Sequence, residues 1–262
     1  MKLLAVILSV VLVLLLGVCF QMVRQQENGL TEPTTNQAQP SEPSEETTRP
    51  TQPTVNEPSS GPEETEPTVP VPTEPPAEPK DENFVLITDY IPDAWVELPY
   101  ATKENFTGTV IYNFTEAYLR YGTVKKLASA AQLLREHGYG LAIWDGYRPV
   151  YAQQKLWDVC PDPNYVSKPG TGSQSHCRGI AVDLTLYNLK TGELLEMPSG
   201  FDAFSALGDR DYSDCTPAAR TNAQLLESIM ESCGFKPYSG EWWHFSDTEL
   251  FDIEYEFDPC DP

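Results

Sequence analysis

The chain has 262 residues, with 17 Lys and Arg against 39 Asp and Glu, a formal charge of −22. That balance excludes partners bound through a basic surface, so no nucleic acid and no anionic headgroup is expected to dock on it. Residues 83–262 carry 13 basic and 26 acidic side chains, all but one of the Cys and all but one of the aromatic residues, so only this stretch can bury a core and one globular domain is expected.

The N-terminus reads as a membrane signal. After Met1 and Lys2, residues 3–20 form an 18-residue run without charge, whose only hydroxyl is Ser9. As a helix it spans about 27 Å, close to a hydrocarbon core of roughly 30 Å. No A-x-A site follows, and Val18 precedes Cys19 where a lipoprotein site carries a small residue. Residues 1–24 are therefore expected to be an uncleaved signal anchor. A cleaved peptide is the alternative, and would release a secreted form. In both cases the remainder is exported, which implies a single-pass protein of the cell membrane with its globular domain outside the cytoplasm.

Residues 25–82 read as a tether. Between 31 and 80 there are 13 Pro, 10 Glu and no aromatic residue, a composition that cannot offset its ordering entropy by burial. At ~3.1 Å per residue the segment reaches at most about 180 Å.

In the domain, Phe84 to Trp95 reads as an extended opening segment. Glu116 to His137 is predicted as a helix, with Leu119, Val124, Leu127, Ala131 and Leu134 at helical spacing and Gly138 as its stop. Leu141 to Trp144 reads as a strand, and Val150 to Val159 as a helix opened by Pro149. Ile180 to Leu186 reads as a strand, and Lys190-Thr191-Gly192 as a hairpin turn into Glu193 to Met197. Pro217 to Ser232 is predicted as a helix capped by Thr216 and stopped by Gly234. Trp243 to Ser246 reads as the last strand. Because strands and helices do not alternate, the fold class is α+β, with a mainly antiparallel central sheet flanked by helices.

Two short runs carry chemistry. In SQSHCRGIAVD (173–183) the two-residue period puts Ile180, Val182, Leu184 and Leu186 on one face and Ala181, Asp183 and Thr185 on the other. His176 lies just before the strand, and Gly179 permits a sharp approach. In GEWWHF (240–245) a carboxylate stands three residues before a histidine. Together the runs offer His176, Asp183 and His244 as N and O donors, with Glu241 beside them. Three protein ligands leave a fourth position for water, the pattern of catalytic zinc. Glu241, if not a ligand, would take a proton from that water and pass it to a leaving amine. Other readings stay open. Residues seven apart are a weak metal signal, Arg148 in WDGYRP (144–149) reads equally as a salt-bridged turn arginine, and His137 as a helix-end residue. Tyr147 reads equally as a core aromatic, and for the Trp242/Trp243 pair core packing is favoured.

WDGYRP, SQSHCRGIAVDLTLYNLKTGEL and SGEWWHF, with VELPYATKENFTG (96–108) and GFDAF (200–204), closely resemble D-alanyl-D-alanine dipeptidases of the vancomycin-resistance type, within the zinc D-Ala-D-Ala peptidase family. The likeness runs from about residue 90 to 257. It implies one Zn2+ held by His176, Asp183 and His244, Glu241 as general base, Arg148 as the group facing the oxyanion, and Asp202 as counter-charge to the substrate ammonium. The implied substrate is D-Ala-D-Ala. The alternative is a D,D-carboxypeptidase acting on longer peptidoglycan stem peptides. Two features depart from the pattern. Gln174 stands where a small hydroxyl residue is expected, which implies an altered grip on the amino group. The exported location differs from the cytoplasmic site usual for this type, and implies dipeptide recovery or wall-peptide trimming.

Five Cys fall in the domain, so disulfides are allowed in an exported chain, and at least one thiol stays unpaired. Cys177 is expected to be a structural or free thiol, since its side chain should diverge from that of His176.

Overall fold

The computed structural model describes residues 77–163 and 165–262. The expected anchor, residues 1–24, and the tether up to residue 76 lie outside the described residues. Among the described residues, no helix is long and apolar enough to cross a membrane.

A five-stranded sheet organises the domain, in the order β2-β4-β5-β7-β6: β2 (Trp95–Val96), β4 (Tyr139–Asp145), β5 (Ala181–Asn188), β7 (Glu241–Asp247) and β6 (Phe235–Tyr238). Only β2 and β4 run parallel; the other three pairings are antiparallel. A second ribbon pairs β1 (Phe84–Leu86) with β3 (Tyr118–Arg120). The helices are α1 (Ile87–Tyr90), α2 (Tyr121–Glu136), α3 (Val150–Val159) and α4 (Pro217–Ser232). This is the α+β, mainly antiparallel architecture expected.

The core lies on one face of the sheet. Leu141 pairs with Leu186, Ile143 with Leu184, and Val182 with Phe245, and each of these six is at most 1% exposed. Cross-strand partners share a face, so these side chains form one apolar surface. On it pack α2, through Val124, Leu127 and Leu134, and α4, through Leu226 and Met230. Burial of this kind contributes roughly 1.5–3 kcal/mol per large apolar side chain. Thr216 caps α4 as expected, its hydroxyl accepting from the Ala219 N–H at 3.1 Å.

Three local expectations are corrected. The helix predicted from Glu116 starts at Tyr121, because Tyr118–Arg120 is drawn into the ribbon with β1. Its first N–H groups find the carbonyls of Asn83 and Asp81 rather than a side-chain cap. The opening segment is extended over β1 and again at Trp95, where β2 begins, but turns into α1 between them. There Ile87 and Ile91, four apart, are both buried, a helical spacing that overrides the β-forming residues. The strand expected at Glu193 to Met197 is reduced to a single bridge, Tyr187 to Leu194. The Asn222 amide draws the Glu196 carbonyl away at 2.9 Å, and Pro198 follows. Strand β6 escapes the sequence reading because Pro237 interrupts it, which an edge strand tolerates.

Candidate metal centre and active site

Asp145, Asp183 and His244 form one row across β4, β5 and β7, since Asp183 pairs with both of the others. Plain alternation would put Asp145 on the core face with Leu141 and Ile143. A register shift between Ile143 and Asp145 makes Trp144 a bulge and turns Asp145 to the opposite face. A second shift carries the β6 register from Phe245 to Glu241 in one step. It brings Glu241 and His244, an odd number apart, into one pocket.

His176 reaches the row on a 3-10 turn, His176–Arg178, closed by Gly179 at φ 71°. A Cβ at Gly179 would stand 2.4 Å from the Phe84 ring, so glycine is required there by space as well as by φ. Arg120 Nε donates to the Arg178 carbonyl at 3.0 Å, and the Arg148 backbone N–H donates to the His176 carbonyl at 3.2 Å.

Three donor atoms converge. His176 Nε2 is 3.3 Å from Asp183 Oδ2 and 3.2 Å from His244 Nδ1, and His244 Nδ1 is 3.0 Å from Asp183 Oδ1. Bonds of ~2.0–2.1 Å at tetrahedral angles need ligand atoms about 3.3 Å apart. The outer ring nitrogens set the tautomers. His176 Nδ1–H donates to the Gly146 carbonyl at 2.8 Å, which leaves a lone pair on Nε2. His244 Nε2 meets Ser246 Oγ at 2.9 Å, and donates to it when Nδ1 carries the lone pair. Burial opposes the Asp183 charge, but positive charge on His176 and His244 outweighs it and holds the carboxyl well below the usual range, and a cation at the donor point takes over that role when both rings are neutral. Two nitrogen lone pairs and an ionised carboxylate aimed at one point fit a divalent cation.

Around this centre stand the other groups. Arg148 is buried, with Nε and Nη2 on Asp145 Oδ2 at 2.7 and 2.6 Å and Nη2 3.7 Å from Asp183 Oδ2. Tyr112 donates its hydroxyl to the other Asp145 oxygen at 3.0 Å. Burial works against the guanidinium charge, and Asp145 more than restores it. Asp202 sits at φ 51° in the left-handed region, a strained placement for a non-glycine residue. It accepts a hydrogen bond from Tyr100 Oη at 2.7 Å. Burial, against the Tyr100 hydrogen bond, pushes the Asp202 carboxyl up to about 7. Burial likewise raises Glu241 to about 7 against the pull of His244, whose Nδ1 is 3.8 Å from Glu241 Oε2. Arg148, Tyr100, Asp202 and Glu241 line one pocket with the three donor residues, with a volume of about 180 Å³.

The structure brings His176, Asp183, His244, Glu241, Arg148 and Asp202 to one place. Gln174 lines the same pocket, its amide donating to the Thr171 carbonyl at 3.2 Å, and it too has positive φ, at 47°. His137 lies at the end of α2, and Trp242 and Trp243 are core residues, 1% and 2% exposed. Tyr147 is buried as well. Cys177 is buried and outside the donor cluster, and all five cysteines of the domain are free thiols. Sequence reasoning missed Tyr100, Asp145, Gln153 and Ser246. Of these only Asp145 carries a local signal, a carboxylate three residues before Arg148 in a turn.

Residues 80–256 match the peptidase family described as D-ala-D-ala dipeptidase. A D-alanyl-D-alanine dipeptidase of Escherichia coli is 41% identical over 154 residues, 59% of this chain and 79% of the relative. The D-alanyl-D-alanine dipeptidase of Enterococcus faecium is 35% identical, over 62% of this chain and 90% of its own. That of Enterococcus faecalis is 34% identical, over 67% of this chain and 95% of its own. Every pocket residue discussed above lies inside the matched stretch, and the chain belongs to this D-ala-D-ala dipeptidase family of hydrolases.

Proposed function

We propose that the protein is a zinc metallopeptidase that hydrolyses the free dipeptide D-Ala-D-Ala. One observation carries the reading: a single small pocket holds a three-donor metal cluster, a buried cation at Arg148 and a half-buried carboxylate at Asp202. A free dipeptide presents an ammonium, a scissile carbonyl and a carboxylate within a few bonds of one another. Asp202 supplies the counter-charge for the ammonium, and that cation in turn favours the ionised form of Asp202. His176, Asp183 and His244 hold the metal, and their N and O donors suit zinc. Zinc, when bound, polarises the carbonyl and lowers the pKa of water there to about 7. Glu241, in the same pocket with Oε2 3.8 Å from His244 Nδ1, is placed to take a proton and return it to the leaving amine. Arg148 turns its remaining N–H groups toward the oxygen on which charge develops.

The test follows D-Ala release by the zinc-loaded protein from D-Ala-D-Ala, its N-acetyl form and a muramyl pentapeptide, with Glu241→Ala as control. Release from the free dipeptide alone is the expected result. Release from the blocked or longer substrates would transfer the assignment to a D,D-carboxypeptidase, the reading favoured by Gln174 in place of a small hydroxyl residue.

We also propose that residues 3–20 anchor the protein in the cell membrane, with the peptidase domain outside the cytoplasm on the Pro- and Glu-rich tether. The 18-residue uncharged run supports this. Protease added to intact cells should release the domain, and a domain left untouched would sink the export claim.

A further inference from the structure

The Arg148 guanidinium has five N–H donors. Asp145 Oδ2 takes one from Nε at 2.7 Å and stands 2.6 Å from Nη2, which fixes a single edge of the plane. The opposite corner is held by a different residue. Nη1 donates to Gln153 Oε1 at 2.8 Å, and Gln153 is only 4% exposed on α3. Nη1 keeps a second N–H, and Nη2, which also lies 3.7 Å from Asp183 Oδ2, presents its own N–H groups beside the donor cluster. With Asp145 alone the plane could pivot about the held edge, and with Gln153 it cannot.

Gln153 also has a second partner. Its Nε2 donates to the Ser167 carbonyl at 2.7 Å. Ser167 lies in the pocket wall, on the segment that runs through Gln174 to His176. One buried amide therefore joins the guanidinium to the wall that encloses the substrate.

We propose that Gln153 is a positioning residue for Arg148: it fixes the direction of the free guanidinium donors and couples them to the Ser167 wall. The inference rests on the reading of Arg148 as the group that faces the scissile carbonyl oxygen. It predicts a loss expressed in the transition state and not in ground-state binding, because a donor displaced by a fraction of an ångström still neutralises charge but no longer meets the oxyanion.

The experiment uses the full chain loaded with zinc and compares wild type, Gln153→Met and Gln153→Glu. Each is assayed for kcat and KM on D-Ala-D-Ala, for affinity toward a phosphinate analogue of that dipeptide by calorimetry, and for melting temperature. Met keeps the volume and removes both hydrogen bonds. Glu keeps an acceptor for Nη1 and loses the donor to Ser167. The expected result for Gln153→Met is a fall in kcat of roughly 10- to 100-fold with KM nearly unchanged, and a parallel fall in phosphinate affinity. Gln153→Glu should recover most of that kcat. An active wild type with Gln153→Met of equal kcat overturns the inference alone. So does a Gln153→Glu no better than Gln153→Met while both melt as wild type does. A wild type inactive on D-Ala-D-Ala overturns the dipeptidase reading, and this inference with it.

Discussion

Asp183 and His244 face each other as direct partners on β5 and β7, with 3.0 Å between Oδ1 and Nδ1. Backbone pairing thus sets the distance between two metal donors, and a sheet holds such a distance more tightly than a loop can. The third donor, His176, comes from a turn, and its position depends on side chains that clasp that turn.

The donor set leads to the first prediction. Two lone pairs and a carboxylate at 3.0–3.3 Å repel one another, so a cation should stabilise the fold as well as enable chemistry. At zinc about 1,000 times its Kd the gain is roughly 4 kcal/mol. For a domain of this size that is a rise in melting temperature of about 8–16 °C. Scanning calorimetry with zinc and with a chelator measures it. Asp183→Asn should abolish both the rise and the activity, and a melting temperature indifferent to zinc would remove the basis for the metal assignment.

Arg148 provides a second. Its planar fork meets Asp145 through two nitrogens and Gln153 through a third. A lysine offers one nitrogen and cannot span both partners. Arg148→Lys should therefore lose kcat by about 10²- to 10³-fold, close to the loss in Arg148→Ala. Near-wild-type turnover by the lysine variant would mean that charge alone suffices and that donor geometry does not matter.

How far the sequence disclosed this site follows from the same residues. The two-residue period of β5 assigned Asp183 to the face opposite Val182 and Leu184, and the strand obeys it. Thr216 and Pro217 marked the start of α4 by local capping chemistry alone. Asp145 was hidden because its orientation depends on a bulge at Trp144, and a bulge breaks the period that sequence reading uses. Glu241 and His244 pose the same problem: three apart in a regular strand, they would point to opposite faces. Their association was read from the carboxylate–histidine spacing in GEWWHF and from resemblance to a family motif, not from the strand period. Tyr100 meets Asp202 across 102 residues of chain, and no local pattern encodes such a contact.

Asp202 supplies a pH prediction. Burial raises its carboxyl from 3.8 to about 7 in the folded protein, so between those values the folded chain holds a proton that the unfolded chain has released. Stability from this group is complete below about pH 3.8 and is lost as the pH rises through about 7. A difference of about three pKa units corresponds to roughly 4 kcal/mol. Asp202→Asn removes the dependence, and its amide oxygen still accepts from Tyr100. In substrate-free protein, the melting temperature of Asp202→Asn minus that of wild type should grow from pH 4 to pH 8. A difference independent of pH would show that Asp202 is ionised throughout. In activity, Asp202→Asn should raise KM for the free dipeptide, because the substrate ammonium loses its counter-charge.

The turn that carries His176 gives the last prediction. Arg120 is 8% exposed and donates to the carbonyls of Arg178, Glu82 and Asp252 at 3.0, 2.6 and 3.3 Å, and to Glu254 Oε2 at 3.1 Å. Arg178 extends the clasp, donating to Ser173 and Phe251 carbonyls, while the Glu254 N–H donates to the Cys177 carbonyl. The segment after β7 is thereby bound to the turn. Arg120→Ala leaves several acceptors without their charged donor, at a cost of about 2–3 kcal/mol, or a fall in melting temperature of roughly 4–12 °C. The stability loss alone would be unremarkable. The distinguishing readout is zinc affinity, which should fall about tenfold or more because His176 loses its support. Arg135→Ala is the control. Arg135 pairs with Asp93 at the surface, where an exposed pair contributes about 1 kcal/mol at most and touches no metal donor. If Arg120→Ala is destabilised yet binds zinc as tightly as wild type, the turn holds His176 by itself and the clasp serves only the fold.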